Sequence, residues 1–101
     1  MSYSIKLLPA ARTDIAEAKE WYEEQREDLG KEFKEEVLTF IENLKENPSG
    51  FQVWHKQVRK VITSRFPYVI YFKIEESLKQ VVILGVLHGK RDRESIMKGR
   101  R

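Results

Sequence analysis

No cysteine occurs among the 101 residues, so neither a disulfide framework nor a thiolate metal site is available to this chain. Histidine is almost as scarce. His55 and His88 stand apart, His55 has no paired His, Cys or carboxylate at ligand spacing, and the expectation is a protein without metal or cofactor. No apolar run approaches the ~20 residues of a membrane span, and Met1-Ser2-Tyr3-Ser4-Ile5 lacks the basic-then-apolar design of a signal peptide. A cytoplasmic location with no membrane partner is therefore expected. Repeats, low-complexity tracts and linkers are also missing, and the length with 41% apolar residues suits one domain spanning 1–101. Aromatics stop at Phe72.

What is present is charge, unevenly spread. Residues 1–50 hold 7 Lys/Arg against 12 Asp/Glu, a net of −5, and residues 51–101 hold 12 against 4, a net of +8. A basic second half attracts nucleic acid or an acidic protein; equally, an acidic helical layer complements a basic sheet within one molecule.

The apolar pattern gives the element order. Tyr3, Ile5 and Leu7 alternate with polar residues, the period of a short strand stopped at Pro9. From Ala10 the period changes: Ala11, Ile15, Ala18, Tyr22 and Leu29 fall at helical spacings, with Gly30 expected as a left-handed cap. Phe33, Val37, Phe40, Ile41 and Leu44 form the stripe of a second helix, ended by Asn47-Pro48-Ser49-Gly50. Two amphipathic helices joined so closely predict an antiparallel αα-hairpin.

Strands follow. Val58, Ile62 and Phe66 are read as one face of a strand, with Arg59, Val61, Thr63 and Arg65 on the other, and Pro67 opens the next strand. There Tyr68, Ile70, Phe72 and Ile74 form one apolar set, opposed by Val69, Tyr71 and Lys73. The polar Glu75–Gln80 segment then leads to Val81–Leu87, apolar on both faces and so expected to be central. The fold class is α+β in the order β-α-α-β-β-β, an antiparallel sheet with the αα-hairpin packed on one face. Val69 and Tyr71, with Val81, Ile83 and Leu87, are expected to leave an exposed apolar sheet face.

Ala11 to Ile15, Glu20-Trp21-Tyr22-Glu23-Glu24-Gln25, Leu29-Gly30, Phe33, Glu36-Val37, Glu46-Asn47-Pro48, Val58-Arg59, Phe66-Pro67-Tyr68 and Leu87-His88-Gly89-Lys90-Arg91-Asp92 together resemble the RelE/ParE superfamily of type II toxin–antitoxin toxins. The likeness is greatest to its ParE-type, plasmid-stabilisation branch. It implies the same β-α-α-β-β-β fold and a growth-inhibiting toxin silenced by a cognate antitoxin, which touches DNA on the toxin's behalf. Two targets divide the superfamily: ParE-type members poison DNA gyrase without being nucleases, and RelE-type members cut messenger RNA on the ribosome. A non-toxic interaction module of the same fold is a third reading.

Residue chemistry bears on the choice. Cutting RNA through its 2′-hydroxyl needs a proton acceptor, a proton donor and cations at the scissile phosphate. His88 with Arg59, Arg65 and Arg91 is adequate in type. The resemblance also implies that RelE-type nucleases often carry a functional aromatic near the C-terminus, which would stack a base, and its absence after Phe72 favours the gyrase reading. The surface expected to meet target or antitoxin comprises Arg59, Lys60, Arg65, Val69, Tyr71, His88, Lys90 and Arg91. Against this, His88 is equally a structural histidine held by backbone or by Asp92, and Arg59 and Arg65 are equally partners for helix carboxylates.

Overall fold

The computed structural model describes residues 2–90 and 94–98. Strand β1 (Ser4–Leu7) leads directly into helix α1 (Pro9–Gln25), whose first residue is a proline following extended Leu8. A proline is favoured there, because its fixed φ suits the first turn and that turn lacks intrahelical acceptors for its amides. Helix α2 (Leu29–Asn43) follows after three residues. Then come β2 (Val53–His55), β3 (Val58–Ile62), β4 (Tyr68–Glu75), β5 (Gln80–His88) and the short helix α3 (Glu94–Met97).

The expected class and order of elements are present, and three details differ. The sheet has five strands in the order β1-β5-β4-β3-β2, and β1 runs parallel to β5 rather than antiparallel. Its other pairings are antiparallel. As expected, β5 is internal, between β1 and β4. The strand β2 and the helix α3 are additions.

The corner between the helices also differs. Gly30 is not a cap: the left-handed residue is Asp28 at φ 69°, and Gly30 lies buried inside α2. A Cβ on Gly30 would collide with the Lys19 carbonyl oxygen, so the missing side chain is what lets the two helices touch. Glu23 closes the corner, its carboxylate accepting from the Asp28 amide at 2.8 Å and the Gly30 amide at 3.0 Å. These amides begin α2 and have no intrahelical acceptor.

Between hairpin and sheet lies the larger core. Ala11, Ile15 and Ala18 of α1 and Phe33, Val37 and Ile41 of α2 pack with Leu44 on Val61, Ile70, Phe72, Val81, Ile83 and Val86. Each fully buried aliphatic side chain contributes about 1.5–3 kcal/mol before chain entropy is charged against it. The expected faces of β4 hold. In β5 the alternation breaks, because Leu84 is an extra residue: Tyr71 opposes Gly85 while Phe72 opposes Ile83. Such a bulge resets which side chains face which way. Val81 and Ile83 therefore lie with Val86 on the helix side, and Val82, Leu84 and Leu87 take the other.

That second face is not open. Val69, Tyr71, Val82, Leu84 and Leu87 are buried beneath Ile96 of α3, with Leu8, Trp54 and Val58 packed around them. Trp54 lies with its ring 4.9 Å from that of Tyr71. The exposed apolar sheet expected from Val69 and Tyr71 is thus filled by the chain's own side chains. In β3 the expected division holds, with Val58 and Ile62 on one face and Arg59 and Val61 on the other. It is the Val61 face, however, that meets the helices; Phe66 joins that helix-side core too, and Ile62 is 60% exposed.

Candidate functional site

The exit of β5 and the β3–β4 turn meet at one end of the sheet. Thr63 closes the turn, its buried hydroxyl donating to the Phe66 carbonyl at 2.6 Å. Tyr68 pairs with His88 across the strands, and the Gly89 amide donates to the Pro67 carbonyl at 2.8 Å. Helix α1 lies alongside. The result is a cleft of about 480 Å³ lined by Asp14, Glu17, Trp21, Tyr22, Tyr68 and His88.

Aromatic edges build one wall. Tyr22 stands 5.0 Å from Trp21, 4.9 Å from Phe66 and 6.0 Å from Tyr68, ring centre to ring centre. Burial, with Tyr68 nearby, pushes the Tyr22 hydroxyl above its usual pKa, so it stays protonated. The His88 ring sits edge-on to Tyr68 at 5.5 Å. Its Nδ1 accepts from the Lys90 amide at 3.1 Å. In the neutral ring that contact places the proton on Nε2 and occupies the Nδ1 lone pair. The Asp14 and Glu17 carboxylates share the cleft, and an incoming phosphate would meet their charge.

The arginines expected beside this histidine are engaged elsewhere. Arg59 lies on the helix side of β3, opposite Phe72, and donates to the carbonyls of Phe51 at 2.7 Å and Ser49 at 3.2 Å. Arg65 pairs with Glu32 of α2, stacks 5.1 Å above the Phe66 ring, and its amide donates to Glu36 at 2.9 Å. The Arg65 hydrogen bond is the main reason the Glu32 carboxyl sits below its usual range, and Arg26 at 3.4 Å adds to it. So Arg65 is a partner for a helix carboxylate, one of the two readings open from the sequence. Arg91 and Asp92 lie outside the described residues. Lys90 is exposed beside His88, and Lys60 is half-buried on β3 opposite Tyr71.

A broader groove, missed from the sequence, crosses the second sheet face, with a volume of about 880 Å³. Val58, Val82 and Leu84 form its floor beside Ile96 and Met97, and Lys6, Lys56, Lys73 and Lys98 stand around it. Lys73 pairs with Glu75 and Lys98 with Glu94. Among the described residues, Lys6 and Lys56 have no carboxylate partner. These lysines come from separate elements, so no local motif announces them. No group of His, Cys, Asp and Glu suited to a metal occurs among the described residues, and no described helix is long and apolar enough to cross a membrane.

Residues 5–93 match the family model described as the ParE toxin of the type II toxin–antitoxin system parDE. Among solved structures, the chain is similar to one from the chromosomal ParDE system of P. aeruginosa: TM-score 0.77, 15% identity, covering 86% of this chain and 96% of that one. A chain of the RelBE2 toxin–antitoxin complex of Mycobacterium tuberculosis aligns with TM-score 0.65 and 19% identity, over 87% and 99% of the two chains. A mutant of the E. coli toxin RelE in the free state aligns with TM-score 0.68 and 13% identity, over 89% and 86%. These likenesses show the shared fold. No curated protein sequence matches the chain.

Proposed function

Because this chain belongs to the ParE toxin family of type II toxin–antitoxin systems, we propose that it arrests bacterial growth by binding DNA gyrase, without cutting RNA, and that a cognate antitoxin silences it. The observation that carries this reading is the setting of His88. Its Nδ1 lone pair is used by the Lys90 amide, Asp14 and Glu17 line its cleft, and Arg59 and Arg65 are committed to carbonyls and to Glu32. Among the described residues, cations are thus not gathered where a scissile phosphate would need them.

Binding a protein asks for less. Exposed or half-exposed cations on a firm sheet suffice to attract an acidic surface and fix its register. Lys60 and Lys90, with Lys6 and Lys56 along the second-face groove, are the contacts proposed for the target. Structures of related fold come from a ParDE system and a RelBE complex, which supports a protein antitoxin as the natural partner. Contact with DNA would then be indirect, through that antitoxin.

Purified chain added to a gyrase supercoiling assay should block supercoiling, and its induction in a bacterial host should give filamentous arrest. His88→Ala should leave both effects in place. Rapid loss of translation with cleaved transcripts, weakened ~10²–10⁴-fold by His88→Ala, would instead establish the RNA-cutting reading. Unimpeded growth on induction would leave a non-toxic module of the same fold.

A further inference from the structure

One bank of the cleft beside His88 is a single stripe of α1. Asp14, Glu17, Ala18, Trp21 and Tyr22 fall at i, i+3, i+4, i+7 and i+8 along it, facing Tyr68 and His88 at the ends of β4 and β5. Asp14 and Ala18 are buried and belong to the fold. Glu17 and Trp21 do not: Glu17 is exposed, and Trp21 is 55% exposed although it stands against the aromatic wall.

Charge and ring chemistry give this cleft a ligand class. Among the described residues no Lys or Arg lines it, only the acids Asp14 and Glu17, whereas the second-face groove carries Lys6, Lys56, Lys73 and Lys98. Glu17 forms no ion pair with a described cation. The indole is the second observation. Elsewhere aromatic rings take their cations from within the molecule: Arg65 lies 5.1 Å over Phe66, and Lys79 lies 5.3 Å over Tyr3. Trp21, of the ring type that holds a cation best, has none among the described residues. It meets Tyr22 crosswise, at 84°, rather than stacked. The Tyr22 hydroxyl stays protonated, so it adds an acceptor oxygen without a charge of its own. The volume of about 480 Å³ is within the ~300–1,000 Å³ of ordinary ligand sites.

We propose that this cleft is a cation site that takes an arginine side chain of the protein target, its guanidinium over the Trp21 indole and its N–H groups directed to the Glu17 carboxylate. This deepens the gyrase reading above and rests on it. Lys90 is exposed beside His88, so the cleft borders the surface already proposed for the target. A cation-accepting cleft next to an exposed lysine sets opposite signs side by side, which fixes the register of a docked partner. Guanidinium suits the site better than ammonium. It is planar and weakly hydrated, so it stacks on an aromatic face while its fork still reaches a carboxylate, and a compact ammonium does not combine the two. Trp, Tyr and Arg are also the residues that dominate the energy of protein interfaces. His88, edge-on to Tyr68 at the far end, is assigned no contact with the ligand.

Inhibition of gyrase supercoiling by the unaltered chain is the first measurement, and its absence ends the gyrase reading together with the site that rests on it. Once inhibition is seen, Trp21→Ala should bind immobilised gyrase ~30-fold more weakly and Glu17→Gln ~10-fold more weakly, with melting points unchanged because both side chains are exposed. Affinities within threefold of wild type overturn the site while leaving the gyrase reading intact. Blocking the arginines of gyrase with butanedione tests the ligand itself: the unaltered chain and Glu17→Gln should then bind alike, and a persisting tenfold difference overturns the guanidinium. Hydroxyl-radical footprinting of the unaltered complex removes any dependence on variant folding. Trp21 should be protected from oxidation, and oxidation as fast as in the free chain overturns the proposal. Sedimentation of the chain alone tests a second copy as occupant: a dimer that Trp21→Ala abolishes would also overturn it.

Discussion

Asp14 of α1 accepts a hydrogen bond from the backbone amide of Val86, 3.0 Å away in a buried setting and 72 residues along the chain. The contact sits where β5 outruns its neighbour, for β1 pairs only as far as Ile83. Beyond that point the helix, not a strand, satisfies this amide of the sheet.

Removing that acceptor strands a buried donor. Asp14→Ala should cost about 1–3 kcal/mol, the usual penalty for a buried unsatisfied polar group, and Asp14→Asn should cost less because its carbonyl still accepts. Urea unfolding monitored through the tryptophans measures both.

At the interhelical corner, Gly30→Ala pits two effects against each other. Alanine gains about 1 kcal/mol of helix propensity, but its methyl would press on the Lys19 backbone oxygen, which cannot swing aside as a side chain would. Crowding of this kind costs about 1–3 kcal/mol or more. The expected net result is destabilisation, seen as a melting point lowered by several degrees.

The acid limb of the stability curve should depend on the pair Glu32 and Arg65. The folded carboxyl titrates below its ordinary value of 4.5, chiefly through the Arg65 hydrogen bond. A depressed carboxyl stabilises the fold above its unfolded pKa, and that contribution disappears as pH falls through the folded value. Glu32→Gln should therefore flatten the loss of stability below pH 4.5, as read from melting curves across the acid range. Salt should weaken the effect, since both groups reach solvent.

The β2–β3 hairpin holds a correctable strain. Lys56 occupies the first of two loop positions between His55 and Val58, at φ 53°. Left-handed backbone there favours glycine, as in the tight turns that suit strand twist. Lys56→Gly should stabilise the fold by about 0.5–1 kcal/mol in the same urea assay.

Local periodicity exposed the helices and the two faces of β4, because each follows from neighbours within a few residues. The stripe from Phe33 to Leu44 and the alternation from Tyr68 to Ile74 needed no knowledge of the rest of the chain. The parallel union of β1 with β5 was hidden because no local pattern encodes a partner more than seventy residues away. The Leu84 bulge was hidden in a run apolar on both sides, where a lost step in alternation leaves no mark. Arg59 and Arg65 misled for another reason: a long side chain can bend back toward its own molecule, and only the positions of the Phe51 carbonyl and Glu32 reveal that both do.

The join between the first and last strands also orders events during synthesis. Ser4–Leu7 leaves the ribosome early but has no strand to pair with until Gln80–Ile83 has been translated and released from the exit tunnel. Until then the strand that links β1 to β4 does not exist, and a prematurely terminated product cannot assemble the sheet. A pairing of such sequence separation is also slow to form. The first strand of the chain therefore waits, unpaired along that edge, until the strand it joins has been made, and the sheet closes late rather than growing in chain order.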